Sequence, residues 1–225
     1  MGILRSTTAV VGWGSLATVG TFIALTRRSG FVQMSKTDEI FSNVFYLRNN
    51  PNANPTTHDL CVRRVPLDKI RPELLEDGKL VEAFCAGIWS GFGYTVQRKY
   101  LERKYRSPST AHQLWDQDDL KASSYPVGTQ ITDHFEVLSH SPSSIVVRCG
   151  DSPMKRDVRA SDGLFEMRAY VRQQEGVAEF QLKSCFYQGL GKSETGAAPM
   201  GPWIDWAHKL YTKLWMESAI RNVVK

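Results

Sequence analysis

From residue 127 onward the apolar positions of the chain recur at every second residue. Ile131, Phe135 and Val137 alternate with Thr132, His134 and Glu136, and Ile145, Val147 and Cys149 alternate with Val146 and Arg148. Phe165, Met167, Ala169 and Val171 alternate with Glu166, Arg168 and Tyr170; Phe180, Leu182 and Phe186 alternate with Gln181, Lys183 and Cys185. A period of two sends successive side chains to opposite faces of a strand. Ser141-Pro142-Ser143, the stretch 150–162 and Glu175-Gly176 break the runs as turns. The pattern predicts an antiparallel meander with one covered face.

The period changes to a helical one at two places. Residues 203–225 read as one helix, with Trp203, Trp206, Ala207, Leu210, Leu214, Ile220 and Val224 near helical spacing and Asp205, Lys209, Thr212 and Lys213 on a narrower polar side. Pro202 suits its first turn. Residues 80–105 form a second helical region whose middle, 83–96, is uncharged, as a buried helix requires. Ala83, Gly87 and Gly91 stand four apart and leave a smooth face for another backbone. Gly91 and Gly93 each cost a helix about 1 kcal/mol, so a bend or break is expected near residue 91.

Before these elements, 60–65 reads as a short first strand. The cluster Asn49-Asn50-Pro51-Asn52-Ala53-Asn54-Pro55 makes 29–57 an irregular tether. Residues 7–26 are uncharged, bounded by Arg5 and by Arg27-Arg28, and long enough for about 30 Å of hydrocarbon. They are read as a membrane anchor within an N-terminal segment 1–28. The arginine pair then places the body, 58–225, in the cytosol. A soluble cytoplasmic protein is the alternative.

The net charge of +5 changes this picture little. Arg5, Arg27 and Arg28 lie in the first 30 residues without an acid, and basic residues elsewhere interleave with acids, as in Lys99, Glu102, Arg103 and Lys104. No phosphate-binding stripe results, which argues against nucleic acid as a partner. Cys61, Cys85, Cys149 and Cys185 form no CxxC pair and read as buried free thiols. Neither they nor the histidines at 58, 112, 134, 140 and 208 show metal-ligand spacing. Signatures of serine hydrolases, P-loop and dinucleotide-binding proteins and zinc proteases are missing. Neither a metal nor a nucleotide cofactor is expected.

Strand, helical region, antiparallel strands and long terminal helix follow one another in an order that resembles the helix-grip fold of the START-like superfamily (polyketide cyclase/dehydrase and lipid transport, SRPBCC type). The stretches VGTQITDHFEV, SDGLFEM and YTKLW are similar to a group of fungal proteins without an assigned reaction. The resemblance covers 58–225 and is topological. It implies an α+β fold, a curved antiparallel sheet covered by the C-terminal helix, with a hydrophobic cavity between them. Members of that superfamily bind sterols, lipids, polyketides or aromatic substrates; some are carriers, and others cyclise or isomerise the ligand. A hot-dog fold, with the helix at 80–105 gripped by the sheet and a thioesterase-like activity, is the rival.

Within such a cavity Asp133 is the first candidate for general acid–base work, because it shares strand parity with Ile131, Phe135 and Val137. His208, on the terminal helix near the expected cavity mouth, is the second. Trp89, Phe135, Phe165, Met167, Phe180, Ser184, Trp206 and Leu210 are the expected ligand-binding residues, Ser184 because it shares the inward parity of Phe180, Leu182 and Phe186. His134 has the outward parity of a surface residue. His58 and Asp59, as strand neighbours, point apart and suit turn chemistry. Asp162 or Glu166 is expected to pair with Arg148 or Arg168 across strands. The function expected from the whole is binding of a polyketide, terpenoid or lipid, with cofactor-independent cyclisation or isomerisation in fungal-type secondary metabolism. Alternatively the protein is a non-catalytic lipid or quinone carrier at a membrane.

Overall fold

A computed structural model describes residues 20–225. It is an α+β fold built on one curved, wholly antiparallel sheet of seven strands in the order β1-β2-β7-β6-β5-β4-β3. The strands are β1 (Gly30–Val32), β2 (Thr56–Pro66), β3 (Gln130–Ile131), β4 (Phe135–Ser141), β5 (Ser144–Cys149), β6 (Asp162–Arg172) and β7 (Val177–Tyr187). The α-helices that follow β1 are α1 (Glu39–Ser42), α2 (Val44–Asn49), α3 (Lys79–Ser90), α4 (Thr95–Tyr105), α5 (Gln117–Ala122) and α6 (Pro202–Arg221). The long strands β2 and β7 pair along their whole length although three helices and four strands separate them in the chain. This order, with α6 following β7, is compatible with the helix-grip architecture.

The alternation in β5, β6 and β7 sorts side chains as the period of two requires. Ile145, Val147, Cys149, Phe165, Met167, Ala169, Phe180 and Leu182 enter the main core. The expected helical region is two helices, α3 and α4, separated at Gly91–Tyr94. Helix α3 is buried almost all round, with Val81, Phe84, Cys85 and Ile88 fully enclosed. Its smooth face meets α6: a Cβ on Gly87 would lie 2.7 Å from the Ala219 carbonyl oxygen, and Ser218 Oγ accepts a 3.1 Å hydrogen bond from the Gly93 amide.

The sheet is covered on both faces. Met34 and Ile40, from the stretch expected to be an irregular tether, bury Val146, Leu164, Cys185 and Tyr187 on the outer face. Lys183 is 2% exposed there, with Nζ 2.8 Å from Asp38 and 3.0 Å from Glu166. Segment 29–57 is therefore part of the fold, and its short helices α1 and α2 start on the caps Asp38 and Asn43, each accepting from a backbone N–H two residues on. The expected cross-strand pair forms between Arg148 and Asp162, buried, at 2.6 Å.

Helix α6 buries only its second half, through Thr212, Trp215, Met216, Ser218, Ala219 and Ile220. Its first turns project outward, leaving Trp203, Ile204 and Trp206 in solvent. Among the described residues no helix is long and apolar enough to cross a membrane. Residues 7–19 of the segment read as an anchor lie outside the described residues.

Candidate functional site

Strand β2 carries Thr57, Asp59, Cys61 and Val65 on its inward, buried parity, while His58 points outward against Phe41. Directly opposite Asp59 in the β2–β7 register stands Ser184. Helix α6 crosses above this row and brings His208 onto it. His208 Nε2 lies 2.9 Å from Asp59 Oδ2, 3.1 Å from Ser184 Oγ and 3.3 Å from Thr212 Oγ1. Ser184 donates to the same Asp59 oxygen at 2.6 Å. Asp59 is 5% exposed, and its other oxygen, Oδ1, is enclosed without a hydrogen-bond partner among the described residues. A buried carboxylate keeps its charge only with such donors around it.

This arrangement determines the roles of its members. A nucleophilic serine needs one imidazole nitrogen while the carboxylate holds the other. Here Ser184, Thr212 and Asp59 all gather at Nε2, so Ser184 is an orienting donor. With Nε2–H donated to Asp59, the free lone pair of a neutral His208 ring is on Nδ1, which no hydrogen bond from the described residues reaches.

His208 forms part of the wall of a cavity of about 300 Å³ between the sheet and α6. The sheet contributes Phe135, Cys149, Phe165, Leu182 and Phe186; α6 contributes His208, Tyr211, Thr212 and Trp215; Gln97, His134, Gly150, Ser161 and Met200 complete it. The wall is mostly apolar. Tyr211 donates its hydroxyl to Gln97 Oε1 at 3.0 Å, and burial raises the Tyr211 phenol to about 12.

Of the residues expected from the sequence, His208, Phe135 and Phe165 line this cavity. Ser184 lies behind it, under His208. Trp89 stands one layer deeper, its ring 4.7 Å from Phe135 and 5.4 Å from Trp215. Met167 and Phe180 are core residues with no part in the wall. Leu210 is half-buried away from the cavity, and Trp206 is exposed.

Asp133 is displaced most clearly from its expected place. Residues 132–134 are a turn between β3 and β4, which pair as a hairpin with Ile131 opposite Phe135. Ile131 and Phe135 both face inward because they are partners, and the parity assigned to Asp133 does not exist. Its carboxylate accepts from Ser152 Oγ at 2.7 Å and from Gln113 Nε2 at 3.2 Å, outside the cavity. His134, expected at the surface, lines the cavity instead. Burial, followed by the field of Arg159, lowers its pKa against the opposing pull of Asp151 and Asp133.

Asp59, Thr212 and His134 were not expected at the site, whereas Tyr211 was among the residues able to orient a ligand's polar end. The signal for Asp59 was present in the alternation Thr57, Asp59, Cys61, which places a carboxylate on an inward face. No protein-family model matches the chain, and comparison with curated proteins and with solved structures finds no match.

Proposed function

We propose that the protein binds a hydrophobic small molecule between its sheet and α6, in the manner of START-like helix-grip proteins, and transfers a proton on it without a cofactor. The observation that carries this reading is a buried carboxylate, Asp59, holding one nitrogen of an imidazole that also lines an aromatic cavity. Asp59 fixes the His208 tautomer and stabilises the imidazolium formed when Nδ1 takes a proton. The substrate class that fits is an apolar molecule with an acidic C–H beside a carbonyl. His208 Nδ1 removes that proton and the C–H electron pair passes toward the carbonyl oxygen as the enolate forms; where the substrate carries a β,γ double bond, the dienolate takes the proton back at the γ-carbon and an isomerisation is complete. The same enolate attacking an internal carbonyl would give a cyclisation. The apolar wall serves by holding one conformer and excluding water.

The test is hydrogen–deuterium exchange at the α-carbon of 2-tetralone in D2O, followed by proton NMR, beside equilibrium binding of the same ketone. Wild-type protein should bind it saturably and accelerate exchange. His208→Gln should bind it and lose at least about a hundredfold of the exchange rate, the usual share of one general base. Asp59→Asn should lose a smaller part. Saturable binding with no accelerated exchange would replace the catalytic reading with a carrier, and absence of binding would overturn both.

A further inference from the structure

Five rings form a continuous arc along the cavity wall. The His134 ring centroid is 5.1 Å from Phe135, Phe135 is 6.1 Å from Phe165, Phe165 is 5.3 Å from Phe186, and Phe186 is 5.1 Å from His208. All five line the cavity. The arc is apolar along its middle and carries an imidazole at each end. We infer that the cavity takes a flat, conjugated molecule with an oxygen function at each end, a hydroxyl meeting His208 and a hydroxyl or carbonyl meeting His134.

Each end has an unused polar group. His208 commits Nε2 to Asp59, which leaves Nδ1 as its free acceptor, a partner that a ligand hydroxyl satisfies. The His134 ring makes no hydrogen bond with any described residue, and neither its nitrogens nor His208 Nδ1 are among the fully enclosed atoms that lack a partner. As a neutral ring, His134 offers one donor and one acceptor, and it matches a carbonyl or a hydroxyl. Between the ends, ring edges and faces suit another ring system better than a flexible chain, because aromatic pairs gain from offset and edge-to-face geometry.

The backbone also sets His134 in place at a cost. Thr132 and Asp133 both hold φ at 50°, a region that non-glycine residues rarely occupy, and both are buried. The Thr132 amide donates to the Leu114 carbonyl at 3.1 Å, the Tyr94 hydroxyl meets Thr132 Oγ1, and Gln113 brackets Asp133 through its amide and its carboxylate. Three neighbours thus fix two strained residues, and the residue that follows them is the imidazole in the cavity wall.

This inference names the ligand class for the cavity proposed above and rests on that reading, so its test must separate the two. Equilibrium dialysis of the full chain against naphthalene, 2-naphthol and 2,6-dihydroxynaphthalene does so. Each added hydroxyl should tighten binding about fivefold, the yield of one net hydrogen bond. In His134→Phe the second hydroxyl should add nothing to the affinity that the same variant shows for 2-naphthol. His208→Phe should behave alike; because it strips Asp59 of its partner, His208→Gln, which keeps a donor toward Asp59, serves as the second variant. Equal affinity of the wild-type protein for all three probes would overturn the two-ended ligand while leaving an apolar cavity. No saturable binding of any probe would overturn the cavity reading itself.

Discussion

Gly87 lies so close to the backbone of Ala219 that a methyl group on it would stand 2.7 Å from the Ala219 carbonyl oxygen and 2.8 Å from its Cα. Helices α3 and α6 approach through this position, and their joint supports the cavity wall. Because the obstacle is backbone, it moves only with the helix. Gly87→Ala should therefore lower stability by about 1–3 kcal/mol, the usual cost of overpacking, despite alanine's higher helix propensity. Urea denaturation checks this, and a variant as stable as the parent would contradict the close packing.

Asp133 holds a turn, and its substitution should disturb the fold while sparing the chemistry. Asp133→Ala removes the partner of Ser152 Oγ and Gln113 Nε2 and places a residue poorly suited to φ of 50° in the turn. A loss of about 1–3 kcal/mol follows from the backbone and hydrogen-bond terms together. Asp133→Asn should cost less, since asparagine tolerates this conformation and keeps an acceptor. α-Proton exchange by the folded Asp133→Asn protein should match the parent, whereas a loss like that of His208→Gln would restore Asp133 as the base.

All four cysteines are free and buried. Desolvation first, and then the charge of Asp59, pushes the Cys61 thiol up to about 12; desolvation likewise raises Cys185 to about 12 despite a hydrogen bond from Thr56. The thiolate is the reacting form. Ellman's reagent at pH 8 should thus label none of them in the native protein on the timescale of free thiols, and all four in guanidinium chloride. Rapid stoichiometric labelling of native protein would contradict the burial of these residues.

His134 gives stability a pH dependence with a definite sign. Its native pKa is lowered from 6.5, chiefly by burial, so as acidity rises the unfolded chain takes up this proton first. Its contribution is intact above about pH 6.5 and is lost as pH falls through the lowered native value. Urea midpoints at pH 7.5 and 5.5 should show a fall that His134→Gln reduces. An identical fall in the variant would assign the dependence to other groups.

The sheet was legible because its strands pack one face on a deep core, so Ile145, Val147, Phe165, Met167, Phe180 and Leu182 obey the period of two. The break between α3 and α4 was legible from Gly91 and Gly93, and the inward parity of Ser184 held. The outer-face cover was not, since α1 and α2 are four and six residues long, too short to show a period. Hairpin partners four apart, Ile131 and Phe135, imitate one continuous strand and misplace everything between them. Asp59 was hidden by its neighbour: His58 suggested a local pair, while the true partner, His208, lies 149 residues away across a packing interface that no local pattern encodes. The exposure of Trp203 and Trp206 follows from α6 running past the edge of its contact with α3, again a property of the assembled fold.

Nitrogen-15 NMR of histidine-labelled protein during a titration with 2-naphthol tests the central claim most directly. A saturable shift of His208 Nδ1, with Nε2 remaining protonated toward Asp59, is the predicted result. An unshifted His208, with perturbation confined to the exposed rings of His58 and His112, would contradict it.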